Sequence, residues 1–339
     1  MEEFSTLPDL ASRLFGGGIV HANDEFFAAA DHLIAPTRPV FAPRTFDHRG
    51  QVYDGWETRR RREPGQDHVI VRLGTPGVIH GIDVDTAFFT GNYPPQASVD
   101  ALSADGYPTA AELDAATWTP LVPRAPLAGD SRNLFTVDSP HRFTHVRLTI
   151  YPDGGVARLR VHGDVVPDPR MLPDVFDVAA AQYGGRVIGC SNMFYGSPQN
   201  MLMPGLAASM GDGWETSRRR DDGNDWVTVK LAVPAVIGHA DLDTRHFKGN
   251  APGRASLRGV DTRTGSLDDS ADWFELMPPT PLAADTPHRF RLDTGRAATH
   301  VRMDIFPDGG MARLRLHGRP DAPGSAALQS RFESLSNPA

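Results

Sequence analysis

Apolar and polar residues alternate over short stretches along most of this chain. In HVRLTIY, His145 to Tyr151, Val146, Leu148 and Ile150 fall on one face and Arg147 and Thr149 on the other. In ARLRVHG, Ala157, Leu159 and Val161 point one way while Arg158, Arg160 and His162 point to the non-core face. YPDGG, Tyr151 to Gly155, separates them with a fixed-φ proline and an Asp-Gly reversal, so the pair predicts a hairpin. DHVIVRL, with Val69, Val71 and Leu73 inward, reads as another strand. A helical pattern is short: DEFFAAADHLI, Asp24 to Ile34, with Asn23 or Asp24 as cap. Many short strands predict an all-β chain of two-sheet sandwich or jelly-roll type.

The pattern is written twice. DGWETRRR from Asp54 returns as DGWETSRR from Asp212. GIDVDTAFFTGN (Gly81 to Asn92) returns as HADLDTRHFKGN (His239 to Asn250), and THVRLTIYPDGGVARLRVHG from Thr144 as THVRMDIFPDGGMARLRLHG from Thr299. WTPLVP at Trp118 is answered by WFELMP at Trp273, and GGGIVHAND at Gly16 by GGRVIGCSN at Gly184. The period is roughly 160 residues, a whole domain rather than a solenoid unit. The boundary falls in VVPDPRMLPDV, Val165 to Val175, giving domains 1–168 and 169–339. The last twenty residues, from Pro320, read as a loose tail or surface strap.

Composition narrows the function. A net charge of -8 argues against a nucleic-acid surface but leaves room for a local arginine cluster that binds a small anion. Cys190 is the only cysteine, so no intrachain disulfide forms, which fits a reducing cytoplasm; it reads as a buried small residue. No signal-peptide core and no membrane-length apolar run are expected. GxGxxG after a strand, GxxxxGK[ST], HExxH and GxSxG are absent.

Candidate chemistry lies in three places. Asp83 and Asp85, and Asp241 and Asp243, share the strand face opposite an apolar partner. Adjacent carboxylates suit general acid–base work or, with a nearby histidine, a divalent metal; a solvated strand edge gives the same pattern. In GWETRRR, Glu57 and Glu215 could anchor one guanidinium while another clamps a substrate carboxylate; a buried tryptophan plug with solvated arginines is the alternative. Asn92 and Asn250 follow glycines in polar loops and could read an amide. The copies also differ: Phe88 faces His246, Thr90 faces Lys248, Arg59 faces Ser217, and His21 has Gly189 in its place.

GGGIVHANDEFF, DGWETRRRR, GIDVDTAFFTGNYPP, DGWETSRRR and DLDTRHFKGN together resemble the allantoicase family, over about Gly16 to Gly318. The resemblance implies two homologous jelly-roll domains related to galactose-binding-like modules, homo-oligomeric assembly, and hydrolysis of allantoate to ureidoglycolate and urea in purine degradation. It implies neither a nucleic-acid nor a membrane partner. A non-catalytic carbohydrate- or small-ligand-binding module is the alternative. For that reaction the candidate catalytic set is Asp83, Asp85, Glu57, Asp241, Asp243, His239, His246 and Glu215. The candidate substrate-binding set is Arg60, Arg218, Asn92, Asn250, Lys248 and His21. No cofactor is required by these residues, and a divalent metal ion stays open as an option.

Overall fold

The computed structural model describes residues 3–336. The chain divides into two compact units, the first running to Val166 and the second spanning Pro167–Phe332. Each is an antiparallel β-sandwich. In the first unit the strands are β1 (Gly18–Ala22), β2 (Phe46–Asp47), β3 (Gly50–Gln51), β4 (Trp56–Glu57), β5 (Asp67–Asp85), β6 (Gln96–Leu102), β7 (Thr119–Pro126), β8 (Arg132–Thr136), β9 (Arg142–Tyr151), β10 (Gly155–Val156) and β11 (Arg158–Val165).

The nineteen-residue β5 belongs to both layers. Its first half pairs with β1 and β9, and β6 and β7 extend that sheet. Its second half pairs with β8 and β11. The register shifts between Arg72 and Gly77, where Gly74-Thr75-Pro76-Gly77 interrupts the alternation. Glycine and a proline without an N–H let one strand leave one sheet and enter the other. The polar groups freed at the bend find partners: Gly74 donates to Leu10 O at 2.8 Å, and Val166 donates to Pro76 O at 2.9 Å. Val69, Val71, Ile82, Val84, Val146, Leu148, Ile150, Leu159 and Val161 meet between the layers with no exposed surface.

The second unit repeats this plan with β12 (Phe176–Asp177), β13 (Arg186–Cys190), β14 (Trp214–Glu215), β15 (Asp225–Asp243), β16 (Arg254–Val260), β17 (Phe274–Pro281), β18 (Pro287–Arg291), β19 (Ala297–Phe306), β20 (Gly310–Met311) and β21 (Arg313–Pro320). β15 pairs with β13 and β19 at one end and with β18 and β21 at the other. Pro234 stands at its bend, and Asp321 N donates to Pro234 O at 3.1 Å.

Five expectations are corrected. Asp24–Ile34 is not one helix: only Ala30–Ile34 makes a 3-10 turn. The backbone upstream is used in pairing, with Phe27 and Ala28 N–H both directed to Glu57 O. The C-terminal segment forms helix Ala322–Ser336 instead of a loose strap; Asp321 accepts from Gly324 N at 2.7 Å, and Pro323 lies in the first turn. Arg158 leaves the core face as expected but is 1% exposed, because its guanidinium donates to Thr37 O, Asp54 O and the Asp54 carboxylate. His162 beside it is buried, and Cys190 is only half-buried.

Both units bury a histidine on the five-stranded layer. His145 bonds Thr144 Oγ1 and His300 bonds Thr299 Oγ1, at 2.8 and 2.9 Å. Burial, then the Arg72 charge, pushes His145 down to about 4; burial also lowers His300. A base with a depressed folded pKa supplies stability above its unfolded pKa that is lost as pH falls. The urea midpoint is therefore expected to fall as pH drops from about 6.5 toward 4. The double variant His145→Gln/His300→Gln should flatten that fall; an unchanged pH profile would assign the acid lability elsewhere.

Candidate active site

At one end of each unit a short strand seats a tryptophan and aims the following glutamate outward. In the first unit Trp56 pairs with Val156 and Glu57 with Gly155. Trp56 is fully buried, and its indole N–H donates to Asp24 O at 2.8 Å; Trp214 does the same to Asn192 O. The tryptophan is thus a plug, and its rigidity positions its neighbour. The Glu57 carboxylate accepts from the Asn92 amide at 2.7 Å, and Glu215 accepts from Asn250 at 2.6 Å. Asn92 O in turn accepts Gly155 N at 2.7 Å, which ties the Gly-Asn loop to the Pro-Asp-Gly-Gly turn. Gly154 in that turn has φ +142°, a conformation that favours glycine. Burial raises the Glu57 carboxyl above the usual glutamate range, against the opposing Asn92 bond.

Three members of the arginine runs, Arg59, Arg61 and Arg219, are committed. Arg61 N–H donates to Asp153 and its guanidinium to Asp67; Arg219 repeats both contacts with Asp308 and Asp225. Arg59 stacks 4.4 Å from the Phe26 ring centroid and faces Asp24 at 3.7 Å. Arg60 and Arg218 are exposed and make no ion pair among the described residues. They remain available to an anion.

Beside this end, Phe88 and His246 occupy matched left-handed positions, φ 68° and 73°. Asp130 and Asp285 hold their amides at 2.7 and 2.8 Å. Such backbone costs on the order of 1–3 kcal/mol and gathers where a loop has a task. The His246 ring bonds Ala207 O at 2.9 Å, and the exposed Lys248 ammonium stands 3.9 Å from Asp285.

The four Asp-x-Asp carboxylates have separate fates. Asp83 is 2% exposed and bound by Arg132 at 2.6 Å, so it is not a solvated edge. Asp85 accepts from Ala87 N, closing a turn. Asp243 is held by both the backbone and guanidinium of Arg245. Asp241 makes no hydrogen bond among the described residues; Arg289 and His317 stand 3.7 Å away. It lines a small pocket of about 140 Å³ with Arg245, Arg289, Arg313 and Arg315. Its strand neighbour His239 stacks on His317, with centroids 4.2 Å apart. Donor atoms of His239, Asp241 and His317 all lie within 4.8 Å of one another, a spacing one metal ion can span.

The structure does not bring His21 to these carboxylates. It lies on β1, against His68 on the five-stranded layer, with ring centroids 5.6 Å apart. Arg132, Arg289 and Asp177 escaped sequence reasoning. Arg132 stands where the second copy has Pro287, and Arg289 where the first has Leu134, so mismatch between copies was the available signal. Asp177 is pushed up to about 6, chiefly by burial, with the Asp241 charge among the lesser causes.

Fold and site define a tandem β-sandwich protein that repeats a carboxylate–amide pair and an uncommitted arginine at the loop end of each unit. Both units match one family model, the allantoicase repeat, over residues 8–166 and 176–321. The chain therefore belongs to the allantoicase family. A probable allantoicase of Nocardia farcinica is 56% identical over 93% of this chain and 95% of its own length. One from Streptomyces coelicolor is 46% identical over 98% and 90%. The crystal structure of Saccharomyces cerevisiae allantoicase matches with TM-score 0.78 and 35% identity, covering 92% of this chain and 93% of the yeast chain. A second allantoicase structure matches with TM-score 0.79 and 34% identity over 93% and 96%.

Breaking the Asp83–Arg132 pair tests its structural role. Arg132→Ala leaves a buried carboxylate without its donor, expected to cost about 1–3 kcal/mol at pH 7. Burial already raises the Asp83 carboxyl in the fold. Removing the arginine raises it further, so the penalty should shrink as pH falls through these raised values, above the usual aspartate range. Urea titrations at pH 4 and 7 measure this; equal losses at both would show that the pair contributes no charge-dependent stability.

Proposed function

We propose that the protein hydrolyses allantoate to ureidoglycolate and urea, with the loop-end pair Glu57–Asn92 in the reaction. The observation that carries the activity is the match of both repeats, and of two solved allantoicases, over nearly the whole chain. Allantoate bears one carboxylate and two ureido groups on one carbon. Exchanging one ureido group for hydroxyl needs a proton for the departing nitrogen, a water for the carbon, and an anchor for the carboxylate.

Glu57 suits the first task, because burial favours its protonated form. The Asn92 amide donates to Glu57 and leaves its carbonyl oxygen to accept a ureido N–H. Arg60, exposed and unpaired, supports the carboxylate anchor. Glu215, Asn250 and Arg218 repeat the set beside His246 and Lys248, so the two copies differ in their surroundings. Asp83, Asp85 and Asp243 are already engaged and serve positioning. A divalent ion, where one binds, would take His239, Asp241 and His317; no step above runs through it. No helix among the described residues is long and apolar enough to cross a membrane.

Purified protein given allantoate should release urea and ureidoglycolate. Glu57→Gln, folded as judged by its thermal transition, should lower kcat by about 10²-fold or more. Arg60→Ala should chiefly raise KM, and Glu215→Gln should act more weakly than Glu57→Gln. Absence of urea from folded wild-type protein, with and without divalent metals, defeats the activity. Full activity of Glu57→Gln defeats the assignment of the proton donor.

A further inference from the structure

The second unit carries a cluster that has no counterpart among the described residues of the first, on the outer face of the sheet formed by β15, β18 and β21. His239 and His317 are opposed in the β15–β21 register, and Asp241 lies two residues along from His239 on the same strand face. The imidazole planes are inclined by 11°. Asp241 Oδ1 is buried and has no hydrogen-bond partner.

The first unit shows what a closed version of this position looks like. Gly81 stands at the place of His239, and a Cβ there would collide with the Phe4 ring. Phe4 is buried against His162, the counterpart of His317, with centroids 6.0 Å apart. Asp83, the counterpart of Asp241, is claimed by Arg132. In the second unit a histidine replaces the glycine, and Pro287 replaces the arginine. Together these differences leave two imidazoles and a carboxylate with donor atoms within 4.8 Å of one another, and the stacked rings need only turn for both lone pairs to meet one ion. The competing cation, Arg289, is 84% exposed and stands at 3.7 Å, so its hold on Asp241 is weak. Arg315 is engaged elsewhere, by Met203 O and Gly205 O.

We infer that His239, Asp241 and His317 form a site for one divalent transition-metal ion of the zinc class, present only in the second unit. Two imidazoles and one carboxylate suit zinc and its first-row neighbours better than magnesium or calcium, which prefer all-oxygen shells. Three protein ligands leave a coordination position for water. The site shares no residue with the Glu57 constellation, and its occupancy can be tested without any substrate.

The probe is Zn²⁺ itself. Untagged protein, stripped with a chelator and dialysed, is titrated with zinc chloride in a calorimeter. One ion per chain is expected, with a Kd in the micromolar range or tighter. Substitution with Co²⁺ should give the visible absorption of a nitrogen–oxygen site. His239→Gly, which reproduces the first unit at an exposed position, and Asp241→Asn should each weaken binding by more than the roughly 10–100-fold expected for loss of an outer partner. His80→Ala should leave it unchanged. No saturable binding up to millimolar zinc overturns the site, as does equal affinity in His239→Gly and wild type.

Discussion

Each unit hangs on one bent strand. β5 and β15 supply partners to both layers of their sandwich, so the bend fixes where the two sheets meet. The constraint is hydrogen bonding. A strand that changes sheets strands several backbone groups at the corner, and these must be paired before the corner can be buried. Leu10 O and Val166 N do this in the first unit, Val178 O and Asp321 N in the second. The segments flanking each sandwich therefore complete it. Once the bend is set, the second half of the strand presents its aspartates on the outer face, and its end delivers the chain to the Gly-Asn loop.

The outer face would be an electrostatic liability without its arginines. Two carboxylates on one strand repel, and burying either raises its pKa. The neighbouring strand answers in register, Arg158 opposite Asp85 and Arg160 opposite Asp83, with Arg313 and Arg315 doing the same in the second unit. Yet those arginines spend most of their donors on loop carbonyls, at Thr37, Asp54, Met203, Gly205 and Asp212. Their main effect is to clamp the long loop of each unit over the sheet. Many charges in the repeated motifs are thus structural, whereas Arg60, Arg62, Arg218, Arg220 and the Asp241 carboxylate make no side-chain hydrogen bond among the described residues.

What the sequence made legible follows its periodicity. Val146, Leu148 and Ile150 alternate and are buried; Asp-Gly and Gly-Asn mark the turns; the duplicated strings mark two copies. Partnerships over long separations were not legible, since nothing local in Asp83 names Arg132, forty-nine residues away. The segment after Asp24 has a helical composition, but pairing with Glu57 took its backbone first, a case of tertiary contact overriding propensity. Helix Ala322–Ser336 had a readable start in Asp321-Ala-Pro, a capping residue before a first-turn proline. Its small, polar composition hid the rest.

Duplication explains why the surviving differences carry the information. A residue kept in both copies is kept for the fold as readily as for a reaction, which is how Trp56 and Trp214 came to be plugs. A difference at a matched position keeps the scaffold constant and changes only the side chain, so the structure itself supplies the control. Gly81 against His239 is such a pair. Each sits at the same place on a bent strand, each faces a histidine on the neighbouring strand, and each is followed by an aspartate two residues on. In one copy a phenylalanine and an arginine close the position. In the other those neighbours are gone and an imidazole stands in the opening. Because the sheet beneath is the same, the change in chemistry comes from three side chains rather than from the fold.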